Sequence, residues 1–277
     1  MQVVELRITD EELETLLREV VRVYKYDFLA YSRESLKRRV NRFTGMEHIG
    51  SIAELQDRLL TEPSFFAYFV EELTVNVTEM FRNPAFFKAL VDDVFPVLAQ
   101  QKFIRIWHAG CSTGEEVYAL AILLKEAGLL ERTILYGTDL NPNVLEKAKI
   151  GMFHLSNMKA YSENYNLSGG QNSLSQYYNV RYNQAAFSDE LKKRMVFSVH
   201  NLVADQSFNE FHLILCRNVL IYFNRELQER VFGLFTESLS EPGFLGLGAK
   251  ETLQLSGYKN SYTYLNKAEK IWLKNTE

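Results

Sequence analysis

From Thr9 to about residue 72, apolar residues recur at intervals of three and four, which predicts helices throughout. Leu13, Leu16, Leu17, Val20 and Val21 form one such stripe. Thr9-Asp10-Glu11-Glu12 opens it with a capping-box pattern, in which a hydroxyl and a carboxylate satisfy each other's backbone N–H groups. Further helices are predicted from Ser32 to Phe43, from Ser51 to Leu60 and from Phe65 to Leu73, with Pro63 in the first turn of the last. The short connections predict a compact four-helix N-terminal domain over residues 1–73.

After about residue 103 the pattern changes to alternating strand and helix. FIRIWHAG reads as a strand, EEVYALAILLKEAG as a helix, TILYGTDL as a strand and NPNVLEKAKIGMF as a helix. MVFSVHNL and HLILCRNVL read as strands, RELQERVFGLFTESL as a helix and FLGLGAKE as a strand. YTYLNKAEKIWLK reads as a closing hairpin around Asn266-Lys267. Alternation of this kind predicts an α/β domain over residues 103–277. Its sheet is mostly parallel with helices on both faces, and its ligands bind beyond the carboxyl ends of the strands. The stretch Ser156 to Asp189, rich in Asn, Ser, Tyr and Gly, is too polar for a core element and reads as an insertion, bounded at about 156–194.

Composition narrows the class. The chain of 277 residues is 47% hydrophobic and 24% charged, as expected of a soluble globular protein. A net charge of −4 gives no electrostatic reason to expect nucleic acid. The cysteines, Cys111 and Cys216, have neither a disulfide framework nor metal-ligand spacing, so no metal is expected and a reducing cytoplasm is. No apolar run reaches membrane-spanning length, and the acidic amphipathic N-terminus lacks the order of a signal peptide.

The chemistry concentrates in "HAGCSTGEEVYALA", beginning at His108. Its Gly110-x-x-x-Gly114 spacing fails the dinucleotide fingerprint, and no Gly-Lys-Ser/Thr follows. Glu115 and Glu116 at the helix start would repel a phosphate from a place that otherwise favours one. The next strand ends in Asp139, where an acidic residue can accept hydrogen bonds from ribose hydroxyls. Glycines for close backbone approach, carboxylates and no phosphate-binding lysine describe a site for a nucleoside with a cationic tail. S-adenosylmethionine is such a ligand. Taken singly, each feature has a plainer reading: first-turn glutamates that complement the helix dipole, and an aspartate that serves the Asn141-Pro142 turn.

"TVNVTEMFRNPAFF" (Thr74 to Phe87), the His108 loop, "YGTDLNPNVLEKA" and "LCRNVLIYF" (Leu215 to Phe223) occur in the order found in the CheR family. The chain resembles these chemotaxis receptor methyltransferases from its helical region to about residue 251. The resemblance implies a fold of two parts: a small all-helical domain that recognises substrate, and a Rossmann-like methyltransferase domain with a small polar or β insertion. Residues 74–102 would be a linker covering the cofactor plus a leading helix. The implied activity is S-adenosylmethionine-dependent methylation of glutamate carboxylates on the cytoplasmic helices of chemoreceptors, with S-adenosylhomocysteine as the other product. By the same resemblance Asn76, Thr78, Arg82, Glu116, Asp139, Asn201, Leu202, Cys216 and Arg217 hold the cofactor, and Tyr222 lies beside the transferring methyl. A glutamate of pKa ~4.3 is already ionised at neutral pH and needs no general base. Catalysis is then positional, with Arg82 and Tyr222 as its catalytic residues.

The sequence departs from the family in the insertion. "YYNVRYNQAAFSDELKKRMVF" lacks the glycine-rich loop of members that dock on a receptor tail, so the resemblance points to a member without a tethering peptide. Val117 stands where many relatives have proline, and Lys250 where serine is common. Arg33, Lys37, Arg38 and Arg42 lie on a predicted helix at four-residue spacing and are candidates for binding a glutamate-rich substrate. The plainer reading is a solvated basic face balanced by acidic helices. Nothing in the sequence demands a stable partner, and a monomer is expected. Three rivals share these features: a methyltransferase of the same fold acting on another protein or a small-molecule carboxylate, a non-catalytic cofactor-binding signalling module, and a nucleic-acid methyltransferase. The last lacks its Asn/Asp-Pro-Pro-aromatic motif, since Cys216-Arg217-Asn218-Val219 stands there instead.

Overall fold

The computed structural model describes residues 6–24, 26–74 and 78–276. The chain divides into two units, residues 1–75 with 222–230, and residues 76–221 with 231–277.

The first unit holds helices α1 (Asp10–Tyr24), α2 (Arg33–Met46), α3 (Ile52–Thr61) and α4 (Pro63–Leu73). The predicted capping box forms: the Thr9 N–H donates to Glu12 Oε2 at 2.8 Å and the Glu12 N–H to Thr9 Oγ1 at 3.2 Å. Ser51 caps α3 by accepting from the Glu54 N–H at 3.1 Å. The apolar stripes meet in a buried core that includes Leu13, Leu17, Val40, Phe43, Leu59 and Phe69. Residues 30–32 also hold the segment at 222–224. The Ser32 N–H donates to the Tyr222 carbonyl at 2.7 Å, and the Asn224 N–H to the Ala30 carbonyl at 2.9 Å.

The second unit begins with α5 (Pro84–Ala89), a π-helical turn (Leu90–Val94) and α6 (Phe95–Leu98). Its seven-stranded sheet is built from β1 (Ile104–Ala109), β2 (Thr133–Asp139), β6 (Met195–Val199), β7 (Phe211–Cys216), β8 (Leu239–Leu247), β9 (Tyr262–Asn266) and β10 (Ile271–Lys274). The order is β6-β2-β1-β7-β8-β10-β9. The first five strands of that order are parallel, and β10 and β9 add an antiparallel edge. The chain winds outward from β1 through β2 to β6, then returns to β7 on the other side of β1. The β1/β7 junction is therefore the topological switch point, where a ligand crevice forms. Helices α7 (Glu115–Glu126), α8 (Pro142–Ile150) and α11 (Arg225–Ser238) fill connections, and Val117 to Leu124 of α7 are all buried.

Two expectations are corrected. The helix predicted to run through Met152-Phe153 stops at Ile150, because β3 (Met152–His154) pairs antiparallel with β5 (Gln184–Phe187), which also pairs with β4 (Tyr178–Arg181). The insertion is not too polar for core. Tyr161 and Tyr165 of α9 (Met158–Leu167), with Leu174, Tyr177, Ala185 and Phe187, are buried in the main hydrophobic cluster. Tyrosine rings bury like other aromatics once their hydroxyls find partners. Here those of Tyr165 and Tyr177 both donate to Glu126, Tyr177 at 2.8 Å. As the sequence pattern predicts, no helix joins β6 to β7. Residues 200–210, between β6 and β7, form only turns, which leaves Ile134, Val196 and Phe208 exposed.

Candidate active site

β1 ends in a loop that the neighbouring strand folds into shape. The N–H groups of Gly110 and Cys111 both donate to the Thr138 carbonyl, at 2.8 and 2.9 Å. The Ser112 N–H donates to Asp139 Oδ2 at 2.9 Å. Gly110 and Gly114 take φ of +78° and +92°, the left-handed region. A Cβ on Gly110 would lie 2.4 Å from Val219 Cγ2, and one on Gly114 2.9 Å from Ala148 Cβ. These glycines therefore serve the turn and its packing against the chain.

The glutamates at the start of α7 have different fates. Glu115 turns inward, accepts from Thr113 Oγ1 at 2.6 Å and is buried. Burial pushes its carboxyl up, against the pull of that hydrogen bond. Glu116 pairs with Arg217 Nη1 at 3.0 Å and with His108 Nδ1 at 3.0 Å. Burial alone would raise Glu116 as well, but the His108 hydrogen bond and the Arg217 charge outweigh it and hold the carboxyl low. Its charge is thus already balanced in part, which the sequence pattern of bare carboxylates did not show.

Arg217 is the hub of the site. Its Nη2 donates to the Arg82 carbonyl at 2.9 Å and to Asn83 Oδ1 at 3.0 Å, and its guanidinium stacks 4.0 Å over the Phe86 ring. Phe81 and Asn83, on either side of Arg82, take φ of +56° and +59°. Such a backbone persists only where its surroundings over-determine it. Phe81 is held by the Phe87 and Tyr165 rings, and Asn83 by Arg217. The Arg82 side chain itself is half-buried.

Asp139 ends β2 beside this loop. Its Oδ1 accepts from the Asn141 N–H at 3.0 Å, so each oxygen holds one backbone N–H and keeps lone pairs for hydroxyl donors. Burial pushes its carboxyl up, while the N–H groups of Asn141, Ser112 and Leu140 oppose the shift. Asn201 and Leu202 follow β6, whose Val199 pairs with Asp139. Asn201 Oδ1 accepts from the Val203 N–H at 2.9 Å, and Leu202 is buried. Cys216 is fully buried at the end of β7. Thr78 is half-buried, and Asn76 lies outside the described residues. The structure thus gathers Glu116, Arg217 and the Arg82 backbone into one network, with Asp139 joined to the same loop through Ser112.

Tyr222 belongs to the helical unit. There the Arg39 guanidinium lies 4.8 Å over its ring. The four basic candidates on α2 split. Arg33 pairs with Glu14 at 2.8 Å and Lys37 with Asp10 at 3.1 Å, both on α1. Arg38 and Arg42 are exposed, and Arg42 has only a 3.9 Å approach to Glu72.

A nucleoside ligand is supported by what the site leaves unmatched. Buried polar atoms without a hydrogen-bond partner, among the described residues, are His108 Nε2, Ser112 Oγ, Asn141 Nδ2, His200 Nδ1, Arg217 Nε and Trp272 Nε1. All but the last belong to β1 or to the segments that follow β1, β2, β6 and β7. Buried polar groups are rarely left unsatisfied, so this cluster fits a polar molecule that would bind there. Sequence reasoning missed His108, which meets Glu116 eight residues on, and Asn83 and Glu251, whose partners are far away in sequence. Among the described residues no cluster of His, Cys, Asp and Glu could hold a metal, and no helix is long and apolar enough to cross a membrane.

Asp139, Glu116 and most of these unmatched groups lie in or just beyond the carboxyl ends of parallel strands, the place where a Rossmann-like sheet takes a nucleoside. Comparison with known proteins specifies it. The family described as "CheR methyltransferase, all-alpha domain" matches residues 11–74, and "CheR methyltransferase, SAM binding domain" matches residues 76–270. A Pseudomonas putida protein described as "Putative methyltransferase Cher3" is 44% identical over 97% of this chain and 98% of its own. A chemotaxis protein methyltransferase of Listeria monocytogenes is 30% identical over 85% of this chain and 88% of its own. Chemotaxis protein methyltransferase 2 of Pseudomonas aeruginosa is 33% identical over 80% and 78%. The chain belongs to the CheR methyltransferase family. It is a protein-glutamate O-methyltransferase that uses S-adenosylmethionine, and its family implies a chemoreceptor as protein substrate.

Proposed function

We propose that the protein esterifies glutamates on the cytoplasmic helices of a chemoreceptor, acting in the cytoplasm as a monomer and without a tethering peptide. The observation that carries the cofactor half of this reading is the set of unmatched polar groups around Asp139, Glu116 and Arg217. When bound, S-adenosylmethionine supplies an electrophilic methyl on a sulfonium and leaves as S-adenosylhomocysteine. Asp139 accepts from the ribose hydroxyls, and Glu116 from the cofactor's ammonium. Asn201, Leu202, Cys216 and Arg217 would hold the adenosine, with Asn76 and Thr78 of the linker within residues 74–102 also assigned to the cofactor. Arg82 holds a carboxylate in a bidentate pair, and Tyr222 orients the attacking oxygen. The acceptor carboxylate is already ionised at neutral pH, so no residue of the chain would need to take a proton.

The helical residues 1–73 serve substrate recognition in this reading, and 103–277 the chemistry. Of the basic set, the exposed Arg38 and Arg42 meet acidic helices directly, while Arg33 and Lys37 act indirectly through α1. The turn between β4 and β5, at Tyr182-Asn183, holds no glycine, which supports the absence of a tether. The test is transfer of labelled methyl from S-adenosylmethionine to a panel of receptor cytoplasmic fragments, scored as base-labile, volatile methanol. Label on a receptor that is absent with Asp139→Ala and Arg82→Ala is the expected result. Label that survives base treatment would overturn the carboxylate as acceptor.

A further inference from the structure

β1 and β7 are parallel neighbours, and their register sets His108 opposite Leu215, two residues before Arg217. From these strands an imidazole and a guanidinium converge on one carboxylate in the first turn of α7. His108 Nδ1 lies 3.0 Å from Glu116 Oε1, and Arg217 Nη1 lies 3.0 Å from Glu116 Oε2. An ionised carboxylate only accepts, so Nδ1 carries the hydrogen of the first bond. The terminal torsion of a glutamate is otherwise broad, and one donor on each oxygen stops the carboxylate from pivoting as a single partner would allow. All three residues belong to the second unit.

Burial orders the pair. The His108 side chain is 0% exposed and that of Glu116 18%, so the carboxylate is the member that a ligand can touch and the imidazole stands behind it. Among the described residues His108 Nε2 has no partner, and burying such a nitrogen costs stability. A residue kept for packing alone would be apolar, as Ile104 and Ile106 are on the same face of β1. An imidazole also supplies its N–H without bringing a second full cation, as a lysine would, and so leaves the charge of Glu116 for a ligand's ammonium.

From this geometry we infer that His108 is a positioning residue for the cofactor: its Nδ1–H fixes the Glu116 carboxylate in the orientation that takes the ammonium of S-adenosylmethionine. The inference rests on the assignment of Glu116 to that ammonium, made above.

The experiment is calorimetry on the full chain with two ligands. One is S-adenosylhomocysteine, and the other is its deaminated analogue, which keeps the adenosine, the sulfur and the carboxylate and lacks only the ammonium. In His108→Leu the affinity for S-adenosylhomocysteine should fall at least about tenfold, as for a lost bond to a charged group, while that for the analogue stays within about threefold of wild type. His108→Asn, whose amide N–H can take the place of Nδ1, should recover most of the loss. His108→Gln, with its donor one carbon further out, replaces the leucine variant if that protein does not fold. Unchanged affinity for S-adenosylhomocysteine overturns the inference, and so does an equal loss for both ligands, which marks a general disturbance of the site. Glu116→Gln separates this inference from the assignment beneath it. If the wild-type preference for the ammonium-bearing ligand survives in Glu116→Gln, the assignment of Glu116 fails and the inference falls with it. If Glu116→Gln abolishes that preference and His108→Leu leaves it intact, the inference alone fails.

Discussion

Removing the Arg217 charge should show how much of the site is held by one ion pair. Arg217→Met keeps the stem and deletes the guanidinium. It leaves the Glu116 carboxylate with His108 as its remaining recorded partner, and the Arg82 carbonyl and Asn83 Oδ1 without their donor. The Arg217 side chain is 3% exposed and that of Glu116 18%, so solvent screens the pair little. Breaking a buried pair from one side costs about 3–5 kcal/mol, most of it the penalty for the charge left behind. At an m-value of about 2 kcal/mol per molar urea, the unfolding midpoint should fall by about 1.5–2.5 M. Adding Glu116→Gln removes the stranded charge and should recover about 2–3 kcal/mol, a coupling that a double-mutant cycle reads directly. The assay is urea unfolding followed by far-ultraviolet circular dichroism at pH 7 without cofactor, since a bound ligand would mask the difference. A loss under about 1 kcal/mol, or additivity within about 0.5 kcal/mol, would refute the view of Arg217 as the hub.

Other expectations follow from the same geometry. Glu116 has a depressed carboxyl pKa, so its stabilisation is fully present above the ordinary carboxylate value and is lost as pH falls through the depressed one. The stability gap between wild type and Glu116→Gln should stay level above about pH 5 and shrink below about 4.3, measured by urea titration across pH. Cys111 and Cys216 are buried, and burial pushes both thiols up. The native protein should therefore resist a thiol reagent at pH 8 and release both thiols only in denaturant. Glu126→Ala leaves the hydroxyls of Tyr165 and Tyr177 without their shared acceptor and should lower stability by about 2–4 kcal/mol in urea unfolding. Charge reversal at Arg38 and Arg42 should raise the Michaelis constant for receptor fragment by on the order of tenfold and leave cofactor affinity unchanged. Loss of cofactor binding there would count against the basic helix as a substrate surface.

What the sequence alone determined is what neighbours within a few residues decide. The Thr9–Glu12 capping box, the apolar stripes of α1 to α4 and the strand-helix alternation after residue 103 are local, and each formed within a few residues of its expected place. The order of motifs from Thr74 to Phe223 carried the family in the same way. What only the tertiary structure decided depends on partners far apart along the chain. Glu116 meets Arg217 across 101 residues, and Glu251 reaches 33 residues back to Asn218. Arg39 and Tyr222 also meet although they are far apart in the sequence. The tyrosines of the insertion read as polar because composition cannot show that one glutamate, Glu126, waits in α7 to accept their hydroxyls. The glycines of the first loop read as room for a ligand, and only the fold shows that Val219 and Ala148 occupy the space a Cβ would need. Residue type proposes a chemistry. Burial and the partner across the fold decide whether that group is charged, satisfied or left waiting for a ligand.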